Sequence, residues 1–296
     1  MITERIGVIG LGNAGGAVAG ALAKKTKVVG FDPSPERCMN AKGLGVDCVD
    51  SVEELAEKTD HIILSLPKPE ISIAVTKSLC DGASTPKLLI ETSTVTPQTA
   101  VTCDKLCKQK QIAYVDAAIA GGVASMAAGE ITFFLGGAGE NKKLAHGILS
   151  LIASSIYDLG PVGAGMGTKV VNNGVMHALM VVLIEAFSMS NKLGVSSQTM
   201  IEILNREEGL LRPLVHRVQE RMQEGNYEGG MSVTNARKDS VLALETAQQL
   251  GVPLFATQAA HTPYEIAEAK DMGDLDYASL ALLWEKWANG RFKNID

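Results

Sequence analysis

Up to about residue 160 the apolar residues come in short runs, and between the runs they recur at helical spacing. Ile6–Ile9, Val28–Phe31, Asp60–Leu66, Leu88–Glu91, Ile112–Val115, Glu130–Gly136 and Ile156–Leu159 are four to seven residues long, the length of buried strands. Helical stretches fall between them. Ala17–Ala23 is one, Ser51-Val52-Glu53-Glu54 is a capping box that opens another, and Thr96 stands as an N-cap before Pro97 at the first helical position of a third. Strand and helix alternating at this spacing predict parallel pairing in a doubly wound α/β sheet. After Gly163 the period changes and no convincing strand remains. A mostly apolar helix is expected from Gly167 to Leu193, spanning ~40 Å at 1.5 Å per residue and joining two domains. Further helices are expected at Ser197–Arg206, Leu211–Glu224, Thr234–Leu250, Leu254–Lys270 and Tyr277–Trp287. The chain thus divides into an α/β domain, residues 1–164, and an all-α domain, residues 165–296.

The first strand runs straight into Gly10-Leu11-Gly12-Asn13-Ala14-Gly15 and then into a helix. That context turns a weak glycine pattern into a Rossmann-type dinucleotide turn, with the pyrophosphate held at the helix N-terminus. The second strand ends at Asp32, seventeen residues after Gly15. An acid there accepts hydrogen bonds from the adenosine ribose and repels a 2'-phosphate, so NAD is expected over NADP, with Arg37 leaving some room for NADP. Ligands bind beyond the carboxyl ends of such strands, which places Leu66-Pro67, Ser93-Thr94 and the loop Asp116–Gly129 along the cofactor cleft. Gly121 and Gly122 in that loop offer main-chain N–H groups to a carboxylate. Gly136 to Gly139 reads as a turn and nothing more.

Composition narrows the partners. A 46% hydrophobic and 20% charged chain is ordinary for a globular protein, and a net charge of −6 without a basic cluster argues against nucleic acid. No apolar run reaches bilayer length, the longest being broken by His177 and Glu185, and no secretory leader is evident, so a cytoplasmic protein without membrane contact is expected. Five cysteines, Cys38, Cys48, Cys80, Cys103 and Cys107, show no paired spacing and read as free thiols, and neither they nor the scattered histidines predict a metal.

The helix expected from Gly167 carries Lys169 and Asn173 four residues apart, on one face. In a first turn the helix dipole would lower the proton affinity of Lys169 towards a useful acid/base value. The broad apolar surface of the helix suggests a subunit interface, in a homodimer or homotetramer.

Four ordered motifs, Gly10–Gly15, Asp116–Thr132, Gly163–Asn173 and Lys238-Asp239, resemble those of the β-hydroxyacid dehydrogenase family, which includes 3-hydroxyisobutyrate dehydrogenase-like enzymes. The resemblance covers nearly the whole chain. It implies an NAD-dependent oxidoreductase that moves a hydride between nicotinamide and a small 3-hydroxy acid or its semialdehyde or keto form. It implies Lys169 as catalytic acid/base, Asn173 as a catalytic and substrate-binding residue, and Lys238 and Thr94 as cofactor contacts. One departure stands out. The family serine and proline of the second motif are Ala120 and Ala118 here, so the substrate carboxylate would rest on Ala120, Gly121 and Gly122 without a hydroxyl. That leaves open a larger aldehyde or an imine as substrate, or a non-catalytic NAD-binding protein, against which Lys169, Asn173 and Lys238 together argue. Arg212 and His177 are further candidates to line the substrate pocket.

Overall fold

The computed structural model describes residues 5–207 and 209–293. The chain forms two compact units, one up to Gly174 and one from Val175, dividing inside a single long helix. In the first unit, β1 (Ile6–Ile9), β2 (Val28–Phe31), β3 (Asp47–Cys48), β4 (His61–Leu64), β5 (Leu88–Glu91), β6 (Ala113–Ala120), β7 (Ile131–Gly137) and β8 (Ala153–Asp158) make one eight-stranded sheet in the order 3-2-1-4-5-6-7-8. The α/β class expected from the alternating pattern is present.

Helices connect the strands: α1 (Asn13–Ala23), α2 (Pro35–Lys42), α3 (Val52–Lys58), α4 (Pro69–Asp81), α5 (Pro97–Gln109), α6 (Val123–Ala128) and α7 (Gly139–Leu149). Their starts follow local chemistry. Ser51 Oγ accepts the Glu54 N–H at the head of α3, and Thr96 Oγ1 accepts the Thr99 N–H at the head of α5. One apolar layer, around Val8, Leu22, Ile63 and Phe133, fills one side of the sheet, and a second, around Ile62, Leu64, Leu89 and Tyr114, fills the other.

The region after Ile112 departs from expectation. The strand read as Ile112–Val115 continues through Asp116 to Ala120, and β7 pairs with it antiparallel. The connection contains only the six-residue α6, too short for the crossover a parallel neighbour needs, so the chain turns back on itself.

The long helix α8 (Ala164–Lys192) begins three residues earlier than its pattern suggested. It is also, by length and composition, long and apolar enough to cross a membrane, with mean hydropathy 1.6, so His177 and Glu185 do not interrupt it as expected. The second unit contains α9 (Ser197–Asn205), a π-helical stretch (Leu214–Met222), α10 (Val233–Leu250), α11 (Phe255–Glu268) and α12 (Ala281–Ala288), and no strand among its described residues. There Glu185 is buried and accepts the N–H groups of Ala256 and Thr257 at the head of α11, at 2.7 and 3.0 Å. Desolvation raises its proton affinity, yet these bonds win and hold the carboxyl below the usual range.

Candidate active site

At the carboxyl ends of β1, β2 and β4, a cavity of about 460 Å³ is lined by Gly10, Gly12, Asn13, Ala14, Gly15, Asp32, Arg37, Leu66 and Pro67. Glycine is a steric requirement at two of these places. A Cβ on Gly10 would sit 2.2 Å from the Ser65 carbonyl oxygen, and one on Gly15 would sit 1.9 Å from that of Gly10. Gly12 differs, since a Cβ there would meet only the Arg37 guanidinium, at 3.9 Å. The backbone at Gly12 is therefore open to a ligand, and the first turn of α1 has neither a side-chain cap nor an acidic residue. Free N–H groups and an open cavity at one helix end suit a pyrophosphate. Leu11, named with these residues, instead buries its side chain in the core and contributes its N–H to Asp32.

Asp32 is buried, and its carboxylate is already engaged. Oδ2 accepts the Leu11 N–H at 2.8 Å and lies 3.4 Å from Arg37 Nη1, while Oδ1 accepts the Ser34 N–H at 2.9 Å. Of the roughly four acceptor positions of a carboxylate, about one is left for a ribose hydroxyl. Across the cavity, Ser93 Oγ accepts the Leu66 N–H at 2.7 Å, joining the two segments expected to flank the cofactor, and Thr94 next to it is exposed.

The catalytic candidates depend on an acid whose role sequence reasoning missed. Asp116 is fully buried within β6, where Oδ1 accepts the Gly163 N–H and Oδ2 the Met166 N–H, both at 2.8 Å. It thus clamps the start of α8 to the sheet. Desolvation raises its proton affinity, and the N–H bonds counter that. Gly136 makes the room: a Cβ there would lie 2.7 Å from Asp116 Oδ1 and 2.9 Å from the Gly165 nitrogen, so it is more than the turn it first suggested. The available signal was an acid inside an otherwise apolar run, Ile112–Ile119, which implies a buried and partnered carboxylate.

Lys169 and Asn173 both lie on α8 and are half-buried. Because α8 starts at Ala164, Lys169 falls in the second turn, beyond the strongest part of the helix dipole. Burial is what pushes its ammonium below the ordinary lysine range. Ala120 ends β6 half-buried, and Gly121 and Gly122 follow it exposed, at the head of α6. In the second unit, Lys238 is exposed on α10, 3.1 Å from Asp239, and Arg212 and His177 are exposed. The five cysteines are free thiols, with Cys80, Cys103 and Cys107 buried.

Two family models match the chain. The NAD binding domain of 6-phosphogluconate dehydrogenase matches residues 5–181, and the NAD-binding domain of NADP-dependent 3-hydroxyisobutyrate dehydrogenase matches residues 163–284. Among relatives, 2-(hydroxymethyl)glutarate dehydrogenase of Eubacterium barkeri is 29% identical over 95% of each chain. The mitochondrial 3-hydroxyisobutyrate dehydrogenase of Rattus norvegicus is 28% identical over 93% of this chain and 85% of its own. A solved 3-hydroxyisobutyrate dehydrogenase of Mycobacterium tuberculosis, with L-serine, is 27% identical with a TM-score of 0.66, over 95% of this chain and 99% of its own. An imine reductase from Pseudomonas sp. shares the fold, with a TM-score of 0.85 at 21% identity over 95% of this chain and 99% of its own. With the larger model covering more than half of its length, the chain belongs to the β-hydroxyacid dehydrogenase family of NAD(P)-dependent oxidoreductases.

Proposed function

We propose that this chain is an NAD-dependent dehydrogenase that moves a hydride between nicotinamide and a small 3-hydroxy acid or its semialdehyde or keto form. One observation carries the reading: Lys169 is half-buried, with lowered proton affinity, in the second turn of a helix whose start is clamped to the sheet beside the strand ends. Bound NAD would supply the hydride acceptor. Gly10, Leu11, Gly12, Asn13, Ala14 and Gly15 would hold its pyrophosphate and Asp32 its adenosine ribose. Leu66, Pro67 and Thr94 would flank it, and Lys238 is a further cofactor residue. NADP is the less favoured coenzyme.

As hydride leaves the carbinol carbon the hydroxyl must lose its proton, and a neutral Lys169 amine accepts it; in the reverse direction the ammonium donates. Asn173, one turn further along the helix, orients that hydroxyl. Main-chain N–H groups at Ala120, Gly121 and Gly122 hold the carboxylate. The functional division we assign is residues 1–164 for the dinucleotide and 165–296 for the helical domain.

The experiment is Lys169→Ala, with NAD-linked oxidation of a panel of small hydroxy acids as the assay. Turnover falls by at least about a hundredfold, the usual scale of general acid/base catalysis; near-full activity overturns the assignment. Ala120 favours a second reading, a reductase of a larger aldehyde or an imine, because it brings no hydroxyl to the place where a carboxylate would rest. Turnover of imines but of no acid on the same panel, with NADH as reductant, selects it.

We place the protein in the cytoplasm as a homodimer or homotetramer. The exposed rows Val171 and Val175, and Met176, Met180 and Ile184, along α8 support self-association. The Glu185 carboxylate, docked on the head of α11, supports burial of this helix in protein and not in lipid.

A further inference from the structure

Beneath the cofactor cleft, between the sheet, α4 and α5, lies a cluster of buried polar side chains that the proposed mechanism does not use. Glu91, the last residue of β5, is completely buried, as are Ser72 and Thr76 on α4 and Tyr114 on β6. Glu91 Oε1 accepts the Ser93 N–H at 2.9 Å. Ser93 Oγ in turn accepts the Leu66 N–H at 2.7 Å. A single carboxyl group thereby ties Leu66-Pro67, which lines the cavity, to Ser93-Thr94, the segment expected to flank the cofactor. Its other oxygen, the hydroxyls of Ser72 and Thr76, and Tyr114 OH make no well-formed hydrogen bond, although the Ser72 hydroxyl is close enough to draw the Glu91 proton affinity down. Four buried polar atoms so weakly paired in an apolar layer are costly, since each opposes folding.

The titratable groups facing Glu91 are Asp116, its register partner on β6, Tyr114 on β6 and Cys103 on α5. None is a cation. Burial raises the Glu91 carboxyl from the ordinary 4.5 to about 7, against the pull of Ser93 and Ser72, with the Asp116 charge adding to the rise. An acid with a raised folded value binds more protons folded than unfolded between these two limits. Its ionisation therefore costs stability as pH rises through that window. A buried ionisable group that costs stability, next to a binding cleft and bonded into its walls, is best explained by work done in the cleft.

We propose that Glu91 is a positioning residue for the dinucleotide, setting the spacing of Leu66-Pro67 against Ser93-Thr94 through Ser93. The inference rests on the cofactor site assigned above and not on the identity of the substrate. Above neutrality the ionised carboxylate holds the Ser93 N–H in a charge-assisted bond, which is the stronger kind. Below neutrality the neutral acid holds it less firmly, and the cleft walls loosen.

The test is NADH binding to the full-length protein, followed by fluorescence from pH 6 to 8.5 without substrate. In the wild type, affinity falls five- to tenfold as the pH is lowered, with a midpoint near 7. Glu91→Gln, isosteric and uncharged, binds five- to tenfold more weakly than the wild type at pH 8.5 and has lost the pH dependence. Its urea midpoint at pH 8 is no lower than that of the wild type, so loss of fold does not account for the weaker binding. Ser72→Ala, on α4 but with its side chain buried and outside the cavity lining, removes a group that lowers the Glu91 value and moves the wild-type midpoint upward; this decides the matter even if Glu91→Gln folds poorly. Wild-type affinity and wild-type pH dependence in both variants overturn the role of Glu91. Failure of the wild type to bind NADH overturns the cofactor site itself and is thereby distinguishable.

Discussion

Asp116→Ala tests whether α8, the helix that carries Lys169, is positioned by one buried carboxylate. The substitution removes the acceptor of two N–H groups, those of Gly163 and Met166, each at 2.8 Å from an oxygen with no exposure. Leaving a buried N–H unpaired costs about 1–3 kcal/mol, so the pair amounts to ~2–6 kcal/mol. Burial also raises the proton affinity of Asp116, meaning that its ionised form is itself held at a cost, which alanine removes. The net loss is therefore in the lower part of that range, about 2–4 kcal/mol. A protein with a typical stability of roughly 5–15 kcal/mol survives it at room temperature. Asp116→Asn keeps one acceptor and points an NH2 group at the other donor, so it loses about half as much. The chemistry should suffer more than the fold. A displacement of ~1 Å at a reacting group costs on the order of a hundredfold, and Lys169 is carried by the turns that Asp116 anchors. The measurements are urea unfolding by circular dichroism, kcat for hydroxy-acid oxidation, and NADH affinity. A lower urea midpoint, a kcat reduced ten- to a hundredfold and an NADH affinity within about twofold of wild type are expected. A folded Asp116→Ala protein with wild-type kcat refutes the anchoring role, and one with wild-type stability refutes the hydrogen-bond argument.

Four further outcomes follow from the same geometry. Oxidation of the hydroxy acid rises with pH along a limb set by Lys169, and burial places that limb below the ordinary lysine value of 10.5; Lys169→Arg, whose group does not deprotonate in this range, abolishes the limb in a pH–rate profile. Gly136→Ala puts a methyl group against Asp116 and the Gly165 nitrogen and costs about 1–3 kcal/mol of stability, read as a lower urea midpoint, with kcat falling as for Asp116→Ala. Glu185→Ala leaves the Ala256 and Thr257 N–H groups without their acceptor and destabilises the protein by about 1–2 kcal/mol; calorimetry showing no change would refute the docking of α8 on α11. Met180→Glu places a charge in the exposed apolar row of α8 and shifts sedimentation equilibrium towards the monomer, whereas an unshifted oligomer places the interface elsewhere.

What could be read from the sequence and what could not are divided by distance along the chain. The glycine turn was legible because Gly15 is constrained by a near neighbour in sequence, a Cβ there meeting the Gly10 carbonyl oxygen at 1.9 Å. Thr96 and Ser51 were legible as caps because each bonds an N–H three residues on. The head of α8 follows the opposite logic. Its acceptor, Asp116, lies 47 residues before Gly163 and 50 before Met166, and no local residue supplies a substitute. A reading by period and local cap accordingly starts the helix at Gly167, where the glycines end, and misses the turn from Ala164 that the distant carboxylate stabilises. The error carries into the chemistry. With Lys169 placed in a first turn, the helix dipole is the natural cause of a lowered proton affinity; with Lys169 in the second turn, desolvation is the cause. The two causes respond differently to perturbation. A dipole effect on an exposed lysine is screened by salt, whereas burial is not. The Lys169 limb of the pH–rate profile should therefore stay in place between low and high ionic strength, and a limb that moves upward on adding salt would restore the dipole as its origin.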